Sequence, residues 1–256
     1  MILMRTVTTV FCIFVAVPLV WLVYAAFIPA EAIVRADLST FGFSLENFLA
    51  LPDSGLWQAM GVSFAATGTA VLGQVLFGLG AAYAIRNGLK IQAIILALLA
   101  LPGELLLVPL YRQLGGLGLL DTLGALILPF MASPLVIFLL VQALRRLPWE
   151  AVEAARLDGA REHVIALRVI APMLRPELLA TSVLAFASHW NLVLYPRVMT
   201  GEALWTVQAF LVELLRSRPF EWGLLGAAAL VASLPIIVLF VVFEKRIVQV
   251  FESGFG

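Results

Sequence analysis

EAARLDGAREHVIALRVIAPMLRP, residues 153–176, is the one strongly polar stretch in an otherwise apolar chain. Glu153, Arg156, Asp158, Arg161, Glu162 and Arg168 are all ionised at neutral pH, and Glu150 lies just upstream. A hydrocarbon phase does not hold so many charges on one short segment, so this stretch must sit in water. Its surroundings are of the opposite kind. Of 256 residues, 62% are hydrophobic and 12% charged, with mean hydropathy +1.05. A water-soluble domain carries about 25% charge and about 45–50% apolar residues. The sequence therefore predicts an all-α, polytopic transmembrane helical bundle, with the polar stretch as a loop between two crossings.

Six windows are long and apolar enough to span, at about 6–29, 59–85, 91–111, 122–144, 178–196 and 222–243. They form one transmembrane domain over residues 1–256, with the polar loop at 147–172. The first window exceeds the apolar region of a signal peptide and holds Pro18, Trp21 and Tyr24, so it reads as a retained helix. Six crossings put both termini on one side. That side collects Arg5, Arg86, Lys90, Arg145, Arg146, Arg156, Arg161, Arg168, Arg175, Lys245 and Arg246. The opposite side holds only Arg35, Arg112, Arg197, Arg216 and Arg218. The positive-inside rule then places both termini and the loop in the cytoplasm. Segments 30–57 and 197–221 lie outside, with Trp57, Trp205 and Trp222 as interface anchors.

Within the loop, Pro148 and the acids Glu150 and Glu153 suit the start of a helix. Asp158-Gly159 ends it, because Gly readily adopts the left-handed conformation of a helix stop. A second helical pattern runs from Arg161 to Ile170, and Pro172 and Pro176 then re-aim the chain. Two short helices meeting at a glycine make a rigid knob.

The order Glu153-Ala154-Ala155, then Asp158-Gly159-Ala160, then Pro172 resembles the cytoplasmic loop of binding-protein-dependent ABC importer permeases. FSLENFLAL (43–51), AAYAIRN (81–87), LPGELLLVPLYRQLGGLGLLDTLGALIL (101–128) and HWNLVLYP (189–196) extend the likeness to the carbohydrate-type, maltose-like smaller permease. The resemblance implies a heterodimer with a second permease, two ATP-binding subunits and an extracytoplasmic solute-binding protein, in a bacterial or archaeal cytoplasmic (inner) membrane. It implies that Glu153, Ala154, Ala155, Asp158, Gly159 and Ala160 form a coupling helix that docks in the ATPase. ATP and magnesium would belong to that partner, with no cofactor on this chain. The implied cargo is a sugar, oligosaccharide or polyol, with a glycerol phosphate ester as the alternative. The chain departs from the family pattern at Arg161, Glu162 and His163, where an aromatic or bulky apolar residue is usual, and at Ala171 and Leu192.

Other chemistry finds little support. The sequence has no G-x-x-x-x-G-K-[ST] loop, and His163 and His189 lack partners at zinc-like spacing. No G-x-S-x-G elbow appears, and zero net charge gives no reason to expect a nucleic-acid partner. An ion-driven secondary transporter would want several buried acids and an internal repeat, whereas Glu104 is the serious buried candidate. Glu104, Ser188, His189 and Asn191 are the candidate translocation-path residues, and Gln74 is of the same kind. For Ser188, His189 and Asn191, hydrogen bonding between helices is the equal alternative. Gly68, Gly73, Gly78 and Gly80 read as close-packing positions, and Cys12 as a buried thiol.

Overall fold

A computed structural model describes residues 2–28 and 43–252. Every regular element among them is helical. Apart from short turns of helix such as Glu46–Leu49 and Gly103–Leu106, the helices in chain order are α1 (Ile2–Ala26), α2 (Leu56–Arg86), α3 (Gln92–Leu99), α4 (Leu107–Gly116), α5 (Leu123–Ile127) and α6 (Pro134–Arg146). There follow α7 (Glu150–Leu157), α8 (Glu162–Met173), α9 (Arg175–Trp190), α10 (Leu194–Met199), α11 (Val207–Ser217) and α12 (Trp222–Glu252). Four helical stretches are long and apolar enough to cross a membrane, and six if each of two sharply bent pairs counts as one. The predicted windows overlap these stretches, the fifth only as far as Trp190; position 29 of the first window and residues 30–42 of the segment after it lie outside the described residues.

The exterior explains the hydropathy. Val7, Phe11 and Phe14 on α1, Leu72, Leu76 and Phe77 on α2, and Val238, Val241 and Val242 on α12 all point outward. So large an apolar surface is tolerated by lipid and not by water. Cys12 is exposed on α1 rather than buried, because α1 packs on α12 only near its C-terminal end.

The long helix α2 is the hub, packing against α5, α6, α9 and α11. Two of its glycines permit this. A Cβ at Gly73 would come within 2.9 Å of Met131, and one at Gly78 within 2.8 Å of Val136. Gly68 and Gly80 correct the expectation: a Cβ there meets nothing within 4 Å, so neither is a packing position within this chain.

Prolines divide the predicted spans. The third window is a broken element: Gln92–Leu99 and Gly103–Gly116 meet at 99°. Pro102 supplies no N–H to continue α3, and its carbonyl accepts from Leu105 N to start the next turn. The fourth window restarts at Pro134, where the Ser133 hydroxyl caps the Val136 N–H. The fifth, expected to run to 196, stops as a helix at Trp190, and Leu194–Met199 is a separate turn of helix.

The segment from 43 to 55 is stitched to the bundle. Buried Asn47 donates from Nδ2 to Ala26 O at 3.0 Å and to Ile28 O at 2.8 Å, satisfying carbonyls at the end of α1. Its amide lies where a Cβ on Gly223 would be, so α1 and α12 meet around it.

Candidate functional site: the polar loop and the intramembrane polar residues

Helix α7 starts at Glu150 with Trp149 as its cap; Pro148 lies just outside, not in the first turn. Val152 points inward and is wholly buried, whereas Glu153 and Ala154 face out. The end of the helix has a defined geometry. Gly159 takes φ +76°, its N–H donates to Arg156 O at 3.0 Å, and Ala160 N–H donates back to Ala155 O at 3.0 Å. These paired bonds are the Schellman arrangement, which satisfies carbonyls that would otherwise be orphaned. Ala155, Gly159 and Ala160 of the predicted set are thus residues of the stop itself. Both alanines sit against the core beneath the loop.

The second helix, α8, starts after Arg161, winds as a π-helix over Ile165–Ile170 and passes through Pro172. It meets α9 at 88°. Ile165 and Ile170 are fully buried against Leu79, Val136, Leu140 and Leu144 of α2 and α6. The loop is therefore bolted down on its inner face and bare on its outer one. At its tip Leu157 is 89% exposed, beside exposed Asp158. Leu157 was not among the predicted site residues. Its signal was a bulky apolar residue among charges at a turn.

A polar cluster ties the loop to the end of α2. Arg156 Nε meets Glu162 Oε1 at 3.1 Å, and its Nη2 donates to Asn87 Oδ1 at 2.7 Å and to Tyr83 Oη at 3.0 Å. The Tyr83 hydroxyl donates to Glu162 Oε2. Alongside, the Arg86 guanidinium lies 4.8 Å from the centre of the Trp149 ring. The Arg156 guanidinium, and then the Tyr83 hydroxyl, hold the Glu162 carboxyl below its usual range. This contact is present above the ordinary carboxylate value and is lost as pH falls through the lowered one. Asn87 and Tyr83 were not among the predicted site residues, although both stand in the AAYAIRN stretch.

The four predicted path residues separate. Glu104 is exposed, not buried, on the Gly103–Leu106 turn at the α3–α4 break. Ser188 and Asn191 are also exposed, at the end of α9. Asn191 Nδ2 donates to Ala187 O at 2.9 Å, and its Oδ1 accepts from Gln208 Nε2 at 3.2 Å. His189 turns inward and is buried. Its Nε2 lies 3.1 Å from Leu126 O and its Nδ1 3.0 Å from Thr67 Oγ1. A carbonyl only accepts, so Nε2 carries the proton and the Thr67 hydroxyl donates to Nδ1. His189 is a strut joining α9, α5 and α2. Gln74 is likewise buried within the bundle.

Next to it, Trp190 is 1% exposed and donates from Nε1 to Ala232 O at 3.1 Å. Within α10, Arg197 meets Glu213 at 3.0 Å, donates to Ala209 O at 3.1 Å and lies over the Trp205 ring. Among the described residues no group of three or more His, Cys, Asp or Glu could hold a metal ion.

An apolar-faced helical bundle, with a rigid two-helix knob fastened to its central helix, defines a multi-pass membrane protein. Residues 74–252 match the family of binding-protein-dependent transport system inner membrane components, and the chain belongs to that family. The trehalose transport system permease protein SugB of Mycobacterium tuberculosis is 30% identical over 253 residues, covering 93% of this chain and 90% of its own. The arabinooligosaccharides transport system permease protein AraQ of Halalkalibacterium halodurans is 29% identical, over 97% of this chain and 94% of its own. The same fold occurs in the crystal structure of a bacterial ABC transporter involved in the import of the acidic polysaccharide alginate. The TM-score there is 0.83 at 19% identity, covering 95% of each chain.

Proposed function

We propose that this chain is one permease half of an ATP-driven importer that carries a carbohydrate inward across the cytoplasmic membrane of a bacterium or archaeon. The observation that carries this reading is the loop's two-sidedness. Val152, Ile165 and Ile170 anchor it in the core, while Glu153, Ala154, Leu157 and Asp158 are offered outward on a Schellman-locked turn. Such a knob moves as a body with whatever grips it. An ATP-binding subunit grips it from the cytoplasm, holds the nucleotide and magnesium, and does the hydrolysis; this chain is not itself an enzyme. The grouping of Arg86, Arg145 and Arg156 at the loop end of the bundle supports the cytoplasmic assignment. A second permease completes the pathway, and a solute-binding protein delivers cargo to the 197–221 side.

Glu104, Ser188 and Asn191 face the pathway, and His189 stands behind them as support. A neutral sugar, oligosaccharide or polyol fits better than a phosphorylated solute, since the sequence puts no basic cluster within the spans. Relatives named for arabinooligosaccharides, lactose and trehalose support the class.

The test is uptake of labelled sugars into proteoliposomes holding the purified permease pair, with and without the ATPase and binding protein. Uptake is expected only with all components and ATP. Uptake by the permease pair alone, driven by an ion gradient, would refute the reading.

A further inference from the structure

We infer that Arg156, Glu162, Tyr83 and Asn87 form a clamp that carries displacement of the coupling loop directly into α2. Arg156 and Glu162 are then positioning residues for energy coupling. The inference rests on the importer reading and adds to it a route of force that the chain's connectivity does not supply. By sequence the loop leads only to α6 and α9. The helix α2 is a distant segment, yet it is the hub against which α5, α6, α9 and α11 pack.

The clamp is built on both halves of the knob. Arg156 closes α7 and Glu162 opens α8, so their 3.1 Å pair bridges the Gly159 turn. From that pair, Arg156 Nη2 reaches Asn87 at 2.7 Å and Tyr83 at 3.0 Å, and the Tyr83 hydroxyl returns to Glu162. The receiving end is stiff. Asn87 Nδ2 donates to Tyr83 O at 3.0 Å, and beyond it Gly88 and Leu89 close α2 with N–H bonds to Ile85 O and Ala84 O. A planar guanidinium fork suits this task because it holds several acceptors at fixed angles, whereas an ammonium is a single point.

Retention of the fold does not need the clamp. Arg156 and Glu162 are 36% and 61% exposed at their side chains, and exposed ion pairs contribute little to stability. The apolar contacts of Val152, Ile165 and Ile170 hold the loop down without it. What the clamp adds is direction: a pull on the knob's outer face turns α7, α8 and the end of α2 together.

The experiment uses the complete transporter in liposomes and measures uptake and ATP hydrolysis in the same sample, with ATPase co-purification as the assembly control. Glu162→Gln is isosteric, and Arg156→Gln shortens a side chain that is 36% exposed, so neither leaves an enclosed cavity. Each is expected to lower solute moved per ATP by on the order of 5-fold, with the ATPase still bound. Arg156→Lys is expected to do no better than Arg156→Gln, because charge alone does not reproduce the fork. Tyr83→Phe is expected to act in the same direction. An unchanged ratio in both Gln variants would overturn the clamp while leaving the importer reading intact. Loss of ATPase binding in both would also overturn it, assigning these residues to docking instead. Absence of ATP-driven uptake in the wild type would sink the importer reading, and the clamp with it.

Discussion

Gly159→Pro is expected to reduce ATP-driven uptake to background while the chain still inserts in the membrane. Gly159 sits at φ +76°, and proline is fixed near −65°, so the variant has no access to the native turn. The substitution also removes the N–H that donates to Arg156 O, one of the two bonds of the helix stop. Arg156 is thereby displaced from Glu162 as well. The apolar spans are untouched, so membrane content measured by immunoblot should match wild type. Gly159→Ala provides the control. A Cβ there meets nothing within 4 Å, so its only penalty is the left-handed backbone, about 1–2 kcal/mol. It should retain much of the uptake. Full activity in Gly159→Pro would show that the knob need not be rigid.

Trp190→Ala is expected to cause a large stability loss. The indole is 1% exposed, stacked on Phe186 with centroids 5.2 Å apart and edge-on to Phe64 at 4.9 Å. Its N–H donates to Ala232 O, so one side chain joins α2, α9 and α12. In a water-soluble core such a truncation costs about 3–5 kcal/mol. Within lipid the transfer share of that cost shrinks, but the cavity and the lost dispersion contacts remain. The midpoint of thermal unfolding of the detergent-solubilised complex should fall by roughly 5–15 °C. Trp190→Phe, which keeps most of the packing and loses a hydrogen bond worth about 0.6 kcal/mol in a bilayer protein, should fall far less. An unchanged midpoint in Trp190→Ala would contradict the packing described for this end of the bundle.

The loop was legible in the sequence because its determinants are local. Charge density keeps residues 153–168 in water, and the Asp158-Gly159 pair marks a helix end whatever surrounds it. Distances along the chain set the limit elsewhere. Tyr83 and Glu162 meet across the fold, and nothing in either's neighbourhood announces the other. Gly73 and Gly80 look alike within α2; only the arrival of Met131 makes the first a contact site and leaves the second open. His189 read as a polar residue of uncertain duty. Its role as a strut depends on Thr67 and Leu126, which belong to other helices. Pro102 stands at the break in the third span, but nothing in the local sequence sets the 99° bend or places Glu104 on an exposed turn.

The importer reading requires that an ATPase in the cytoplasm hold the outer face of the 150–162 knob. Exposed Cys12 is first replaced by Ser, and single cysteines are then placed at Glu153 and Asp158. A short bifunctional thiol reagent, applied to inverted membranes of cells making the whole transporter, should join both positions to the ATP-binding subunit. Membrane-impermeant maleimide should fail to label them in intact cells. Labelling from outside intact cells, with no adduct to the ATP-binding subunit, would contradict the account.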